Sequence, residues 1–323
     1  MKKTVSVLVA MAAGVAGVLA SGAPAQAVDR QVLRPADLPR GADVRLPHLE
    51  GRTVVDGDVR VRVRGGDRVV LLGRSGAGYA VGVTARDDGR GSVRVVRPGA
   101  PARVVLKGVQ VFEMLLSADG KHLTRAAGST AEKTTVTVHR TSDGALVRQR
   151  TFPGSAQILD VGNDRMVIGS WTPNRTLSWN FATGTATTLV KRTGYAASIE
   201  ADRLATFSRD PYDGGCSIVG RLAAPQTRLG RSCDERVTAF SPRGGRMATV
   251  GILSDGLGPT EVRLRRSNGR LVARYAARFF GAVVFESERA LLLDTNGTKK
   301  AAVVRCTATR CVRASALRRT QTY

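Results

Sequence analysis

Histidine, lysine and aromatic residues are all scarce in this sequence. Only three histidines and eight lysines occur among 323 residues, and aromatic residues make up 5%. Proteins that bind single-stranded nucleic acid combine basic residues with aromatic ones on which the bases stack, so this composition argues against a nucleic-acid partner. Scarce histidine also argues against a zinc site, whose ligands are usually closely spaced cysteines and histidines. Neither a metal nor an organic cofactor is expected.

The chain carries a strong excess of positive charge, most of it from arginine. Its formal net charge is +24, and 42 of its 50 basic residues are arginine. Such a balance attracts anionic polymers, for example a wall polymer or an acidic polysaccharide. An arginine-biased, solvated surface is the alternative, and it is favoured because the charge forms no cluster along the chain. Lys299-Lys300 and Arg318-Arg319 are only pairs.

Long apolar runs are absent except near the N-terminus. Residues 5–20 are apolar and uncharged, follow the basic Lys2-Lys3, and precede the small-residue site Ala25-Gln26-Ala27. This pattern predicts a secretory signal peptide over residues 1–27, with a retained membrane anchor as the alternative. The sequence has no cysteine near the cleavage site, which argues against a lipid anchor. The mature chain, residues 28–323, is expected to be secreted, either extracellular or associated with the cell envelope, and to contain no membrane span.

Only four cysteines occur, and their spacing predicts two disulfide bonds. Four cysteines allow three pairings. The midpoint between Cys216 and Cys233 falls at the turn-like Ala224-Pro225, and Cys306 and Cys311 flank a short polar turn. Each pair would face across an antiparallel hairpin, where Cβ atoms lie about 4.5–5.5 Å apart, close to what a disulfide needs. We therefore predict the bonds Cys216–Cys233 and Cys306–Cys311, which supports export.

The remaining chain has the pattern of an all-β protein. With 42% apolar and 24% charged residues, it is neither disordered nor collagen-like. Residues 58–64 alternate valine and arginine, which places valine on one face of a strand and arginine on the other. Similar short runs recur beside Gly, Asp-Gly or Asn-Gly turns, and no segment beyond the signal peptide has apolar residues at helical spacing.

These short runs form a repeat. A polar turn that enters an apolar strand recurs at intervals of 43, 43, 38, 43 and 43 residues, with these central apolar positions: Ala80, Leu123, Met166, Leu204, Met247 and Ala290. In three repeats a second turn follows, at Asp143-Gly144, Thr183-Gly184 and Asn268-Gly269. A period of about 40–45 residues with four short strands is typical of a β-propeller blade.

One of these turns resembles a known propeller hairpin. Residues 116–123, Leu-Ser-Ala-Asp-Gly-Lys-His-Leu, are similar to the Leu-Ser-Pro-Asp-Gly hairpin of bacterial TolB-like and WD40-like β-propellers, and residues 240–247 are a degenerate copy. The resemblance covers roughly residues 65–318 and implies the fold and a binding role. The blades lack the Gly-His and Trp-Asp dipeptides of standard WD40 proteins, and no family site residues match, so none are transferred.

The repeats leave the number of blades open between six and seven. Six repeats account for residues 65–318, and residues 44–64 add two strands that form either a partial seventh blade or a strap across the ring closure. The length of the mature chain slightly favours seven four-stranded blades. The expected organisation is a signal peptide (1–27), N-terminal strands that close or extend the ring (28–64) and propeller repeats (65–323).

Loops are the expected place for function, because propeller strands pack against neighbouring blades. Six loops at equivalent repeat positions are expected to share one face: residues 86–89, 128–133, 170–175, 209–214, 254–259 and 294–297. Aromatic rings beside Asp, Asn and Arg can stack on and hydrogen-bond a sugar or a peptide. We therefore predict these ligand-binding residues: Trp171, Asn174, Arg175, Arg209, Asp210, Tyr212, Asp213 and Asp255.

The expected function is binding rather than catalysis. The protein is interpreted as a monomeric, secreted scaffold that recognises a cell-envelope glycan, an anionic polymer or a protein partner through its loop face. No catalytic residues are assigned, because no histidine neighbours a nucleophile in a recognised motif. The alternative is a secreted carbohydrate hydrolase or lyase that uses acidic loop residues such as Asp210 and Asp255. A further interpretation is that Trp171 and Trp179 have only a structural role and pack between blades.

Overall fold

The chain folds into a ring of seven β-sheets. The computed structural model describes residues 28–85, 89–128 and 132–320, so the predicted signal peptide lies outside the described residues. The sheets follow one another along the chain as the blades of a β-propeller. The first strands of most successive blades contact one another, which places these strands innermost. The described helical segments are three short 3-10 turns, Pro35–Asp37, Val111–Glu113 and Pro211–Asp213.

The strands are numbered in chain order, and blades two to seven each take four consecutive strands. Before the ring, β1 spans Arg30–Val32. The strands of the first blade are β2 (His48–Glu50), β3 (Thr53–Asp56) and β4 (Val59–Arg62). Those of blades two and three are β5 (Arg68–Ser75), β6 (Gly78–Thr84), β7 (Arg90–Arg97), β8 (Ala100–Gln110), β9 (Leu115–Leu116), β10 (His122–Ala127), β11 (Lys133–Arg140) and β12 (Leu146–Pro153). Those of blades four and five are β13 (Ala156–Val161), β14 (Arg165–Trp171), β15 (Asn174–Asn180), β16 (Ala186–Val190), β17 (Gly194–Ser198), β18 (Arg203–Phe207), β19 (Ser217–Gly220) and β20 (Arg228–Ser232). Those of blades six and seven are β21 (Glu235–Phe240), β22 (Arg246–Gly251), β23 (Glu261–Arg266), β24 (Leu271–Ala276), β25 (Phe279–Phe285), β26 (Leu291–Asn296), β27 (Lys300–Thr307) and β28 (Arg310–Arg313), with a short β29 (Arg318–Arg319) beside β27.

The alternation and the repeat read from the sequence both correspond to strands. In β4 Val61 is buried while Arg60 and Arg62 are exposed, as the period of two predicts. Five of the six repeat positions lie in the second strands of blades two to six, and Ala290 immediately precedes the second strand of blade seven. The predicted turns at residues 143–144, 183–184 and 268–269 each connect the third and fourth strands of a blade.

Seven blades are present because residues 48–62 form a three-stranded blade of their own. The strap across the ring closure lies further toward the N-terminus, in residues 30–44, which we call the N-terminal strap. Its strand β1 pairs in parallel with β24 at the outer edge of blade six. The strap then runs beside blade seven, where the backbone N–H of Val44 donates to Ala314 O at 3.2 Å. It thereby ties blades six and seven to the first blade.

The hairpin motif forms a hydrogen-bonded turn between the first and second strands of blade three. The Ser117 hydroxyl donates to Asp119 Oδ1 at 2.6 Å and accepts from the backbone N–H of His122 at 2.9 Å. In the degenerate copy Arg243 stands where Asp119 stands in the first. There Glu288 from blade seven supplies the carboxylate and accepts from the Ser241 hydroxyl at 3.0 Å. The copy therefore keeps its turn through a residue from the next blade.

Both predicted disulfide bonds are present, and they contain all four cysteines. Cys306 and Cys311 are direct cross-strand partners in β27 and β28. Cys216 and Cys233 lie one residue beyond the paired Ser217 and Ser232, with Cα atoms 4.0 Å apart. Both bonds therefore close single hairpins, as the positions of the turns predict.

The core is divided among the interfaces between blades. Trp179 is fully buried between blades three and four, where it makes edge-to-face contacts with Phe152 and Phe181. Between blades six and seven, Tyr275, Phe280 and neighbouring aliphatic side chains form a second large cluster. Each blade is thus held by its neighbours, which is the usual stability pattern of a repeat protein.

Candidate functional site

All six predicted loops connect the second and third strands of their blades. Because adjacent strands run antiparallel, these loops and the connections between successive blades lie at the same end of the strands. We call this side of the ring the loop face. Residues 86–88 and 129–131, parts of two predicted loops, lie outside the described residues.

Trp171 lies at the end of β14, on the loop face of blade four. Its ring stacks on Phe207 of blade five, with centroids 5.9 Å apart and an interplanar angle of 24°. Phe207 in turn stacks on Tyr195, with centroids 4.0 Å apart. Burial raises the pKa of Tyr195 to about 12, so its hydroxyl stays neutral and accepts from the backbone N–H of Val237. The row of three rings fixes the orientation of Trp171 while leaving it half-buried.

A cavity of about 430 Å³ lies beside Trp171 and opens on the loop face. Another cavity, of about 440 Å³, lies elsewhere on the ring. The apolar wall of the first cavity consists of Trp171 with Leu115 and Ile158, from the inner strands of blades three and four. Glu113 and Gln157 add polar groups, and Glu113 is held by Arg125 Nε at 2.8 Å. An aromatic face with a few polar groups around an open cavity is the usual composition of a ligand site. We call it the Trp171 cavity.

Asn174 and Arg175 lie directly after the Trp171 turn, and both contact the protein itself. Asn174 pairs with Trp171 across the hairpin, and its Oδ1 accepts from the Thr193 hydroxyl at 3.0 Å. Arg175 Nη2 donates to Pro153 O at 3.4 Å. These side chains therefore support the loops beside the cavity, and neither lines it.

The other predicted residues gather in a second group, on the loops of blades five and six. Asp210 caps the 3-10 turn Pro211–Asp213 by accepting from the backbone N–H of Tyr212 at 2.9 Å. The Tyr212 hydroxyl donates to Asp255 Oδ2 at 3.4 Å, which joins the two loops. Tyr212 is 72% exposed, and Asp213 and Arg209 are also exposed. The structure therefore divides the predicted set into Trp171 with its hairpin neighbours Asn174 and Arg175, and this Tyr212 group.

Sequence reasoning missed the inner-strand residues of the Trp171 cavity. Leu115, Gln157 and Ile158 carry no motif, and nothing in their local sequence distinguishes them from other strand residues. The only available signal was the repeat itself, since Ile158 follows a blade-to-blade connection that the repeat places on the loop face. Among the two tryptophans, Trp179 packs between blades and Trp171 both packs on Phe207 and lines the cavity.

The fold is shared with solved structures, whereas no family model and no curated protein sequence matches the chain. A chain of the mitotic checkpoint complex matches with a TM-score of 0.56 and 11% identity, over 80% of this chain and 85% of that one. A chain of the complex of KlAtg21 with the coiled coil of AgAtg16 matches with a TM-score of 0.52 and 12% identity, over 80% of this chain and 85% of that one. An acylaminoacyl peptidase bound to Z-Gly-Gly-Phe-chloromethyl ketone matches with a TM-score of 0.57 and 12% identity, over 82% of this chain and 47% of the peptidase.

These structural neighbours share the β-propeller fold with this chain. They are WD40 and other β-propeller proteins, and at such low identity they show the fold alone. The chain is a seven-bladed β-propeller with two disulfide bonds. This chain spans about half the length of the peptidase it matches. Across the described ranges, no helix is long and apolar enough to cross a membrane.

Proposed function

We propose that this protein is a secreted binding scaffold that recognises a partner through its loop face. The observation that carries the proposal is the Trp171 cavity, which combines a fixed aromatic face with aliphatic walls and a few polar residues. Because the ring is fixed by stacking before a ligand arrives, little ordering is required on binding. The open position of the cavity suits one side chain of a protein partner or one sugar ring of a glycan.

The partner is a component of the cell envelope, either a glycan, an anionic polymer or a protein. The predicted signal peptide and the two disulfide bonds support an exported protein, because disulfides persist in oxidising compartments. Structural neighbours in protein complexes support a protein partner. The finer resemblance to bacterial TolB-like propellers, which rests on the hairpin motif, supports the envelope as the location.

Binding is tested by pelleting the mature chain, residues 28–323, with isolated cell-wall material at low and high salt. We expect binding that survives high salt and falls at least about tenfold in Trp171→Ala, because burial of a tryptophan in a pocket contributes strongly to binding. Leu257→Ala is the matched control, since Leu257 is 53% exposed on a loop of blade six and does not line the cavity. Equal binding by both variants and the parent chain, with unchanged thermal midpoints, would refute the Trp171 site.

The same samples distinguish binding from turnover. A secreted hydrolase or lyase would release soluble fragments from a polysaccharide panel, and the double substitution Asp210→Asn/Asp255→Asn would stop the release. Retained binding without fragment release supports the scaffold. Export is tested separately by locating the chain in cell fractions and by determining the N-terminus of the exported form, which should begin at Val28.

A further inference from the structure

A second cavity, of about 440 Å³, lies at the outer part of the loop face between blades six and seven. Its apolar floor comes from the N-terminal strap and the end of β24, with Leu33, Pro35 and Ala276 buried there. Five basic side chains surround this floor: Arg30, Arg34, Arg278, Lys299 and Lys300. The acidic member of the lining is Asp37. We call this the strap pocket.

The fold also brings together the two basic pairs that are separated in the sequence. Strand β29 pairs with the start of β27, which places Arg319 directly opposite Lys300. Arg318 forms an ion pair with Asp294, whereas Arg319 is exposed. The chain segments that carry these charges lie 18 to 20 residues apart, so the basic cluster exists only in the folded protein. The charge forms no cluster along the sequence, but the fold brings these two pairs together.

Several of these charges have no acidic partner in the part of the chain that the structure describes. Arg30 pairs with Glu261 at 3.2 Å, and Arg278 donates to Thr298 O at 3.5 Å. For Arg34, Lys299 and Lys300, the described residues offer no ion pair and no side-chain hydrogen bond, and all three are exposed. Uncompensated cations around a concave surface concentrate the positive potential and attract anions.

Backbone contacts hold the pocket in shape. The Thr320 hydroxyl donates to Gly297 O at 2.8 Å, and the Thr320 N–H donates to Lys299 O at 3.1 Å. On the other side, the N–H of Leu33 donates to Ala276 O at 2.7 Å. Gly297 also lets Pro35 approach closely, because a Cβ at this position would lie 3.2 Å from the proline ring. The loop carrying the lysines and the N-terminal strap are thus positioned before a ligand binds.

We infer that the strap pocket binds an anionic polysaccharide, a chain whose sugar units carry carboxylate, phosphate or sulfate groups. The basic rim would pair with successive anionic groups, while the aliphatic floor contacts the sugar backbone between them. A small inorganic anion would leave the floor unused, and nucleic-acid bases would find no aromatic side chain in the lining on which to stack. This site is separate from the Trp171 cavity, so its function does not depend on the function proposed above.

The test measures affinity of the mature chain for dextran sulfate and polygalacturonate, with neutral dextran as the matched uncharged probe. We expect both anionic polymers to bind and neutral dextran not to bind. In Lys299→Gln/Lys300→Gln the affinity should fall about tenfold at low salt, since each exposed ion pair contributes up to about 1 kcal/mol. The control variant Lys107→Gln/Arg228→Gln removes the same charge from exposed positions on blades two and five and should change affinity less than twofold.

Three outcomes would overturn the inference. An equal loss in both double variants would show that net charge, and not the pocket, governs binding. Equal binding of neutral dextran would exclude charge recognition. A DNA duplex that binds more tightly than either polysaccharide and depends on Lys299 and Lys300 would assign the pocket to another class of polymer. Lys299→Gln/Lys300→Gln should leave the salt-resistant, Trp171-dependent binding to cell-wall material unchanged, so failure of one site is distinguishable from failure of the other.

Discussion

Loss of the Glu235 carboxylate should strongly destabilise this propeller. It begins β21 and is only 5% exposed. Its carboxylate accepts from Arg263 Nη1 at 2.6 Å, from Arg265 Nε at 2.7 Å and from the Thr249 hydroxyl at 2.5 Å. Through Arg263 it connects to Glu261, which also pairs with Arg274. Glu235→Gln would leave Arg265 without its carboxylate in the interface between blades five and six.

The size of the stability loss in Glu235→Gln follows from the pKa of Glu235. Burial by itself would raise this pKa, but hydrogen bonds from Arg265 and Thr249 and the charges of both arginines outweigh burial and lower it to about 2. A carboxyl with a pKa of about 2 in the folded chain and about 4.5 in the unfolded chain contributes roughly 3 kcal/mol of stability at neutral pH. Removing one member of a buried ion pair costs about 3–5 kcal/mol, which agrees in size.

The sign of the pH dependence is also determined. Because the folded-state pKa is depressed, the contribution is fully present above about pH 4.5 and is lost as the pH falls toward 2. The free energy of unfolding of the parent chain and of Glu235→Gln should therefore differ by about 3 kcal/mol at pH 7 and converge below pH 3. This is measured by urea denaturation at pH 7, 5, 3 and 2, with disulfides intact.

Glu113→Gln is the matched control, because Glu113 pairs with Arg125 at 2.8 Å but its side chain is 50% exposed. An exposed ion pair contributes up to about 1 kcal/mol, so the free energy of unfolding of this variant should differ from that of the parent by no more than this at every pH. A Glu235→Gln variant within about 1 kcal/mol of the parent at pH 7, or a difference that persists at pH 2, would refute the reasoning.

Further predictions concern the disulfides and one turn. Replacing Cys216 and Cys233 by alanine should lower the free energy of unfolding by about 3 kcal/mol, and replacing Cys306 and Cys311 by about 2 kcal/mol, because the first bond closes the longer loop. Urea denaturation of both variants checks the order, and a larger loss for Cys306 and Cys311 would contradict the loop-closure argument. Gly154→Ala should destabilise by more than about 1 kcal/mol, since φ is +86° there and a Cβ would overlap a backbone carbonyl oxygen; an unchanged thermal midpoint would contradict this.

The fold was predictable because its determinants are local. A strand needs a period of two, and a hairpin needs a turn residue between two such runs. Both signals recur along this chain at nearly constant intervals, so each blade can be recognised from its own segment of the sequence. The disulfides were predictable for the same reason, because Cys306 and Cys311 face each other across a single turn.

The number of blades was harder to read, because closing a ring is not a local event. Residues 48–62 carry only three strands and no hairpin motif, so nothing in that segment distinguishes a blade from a strap. The ring closes through contacts between residues far apart in sequence, such as the N–H of Arg45 with Glu286 at 2.8 Å. Such pairings depend on how seven interfaces fit around one axis.

The candidate site was predictable only in part. Trp171 was identifiable as an aromatic residue in a loop, but its companions Leu115 and Ile158 belong to the inner strands of two blades. The Tyr212 group was placed on the correct loops, yet the hydrogen bond from Tyr212 to Asp255 joins residues 43 positions apart. A loop residue's type is visible in the sequence, whereas its neighbours are set by how the blades pack.

The all-β class, the blade repeat, both disulfide bonds and the face on which the loops lie follow from the order of the amino acids. These features depend on residues within a few tens of positions of one another, where strand alternation and turn chemistry act directly. The folded chain was needed to show that the first blade has three strands, that the Trp171 cavity lies between two blades, and that Lys300 faces Arg319. These juxtapositions arise because packing of blades around the ring, rather than any local preference, brings distant segments together.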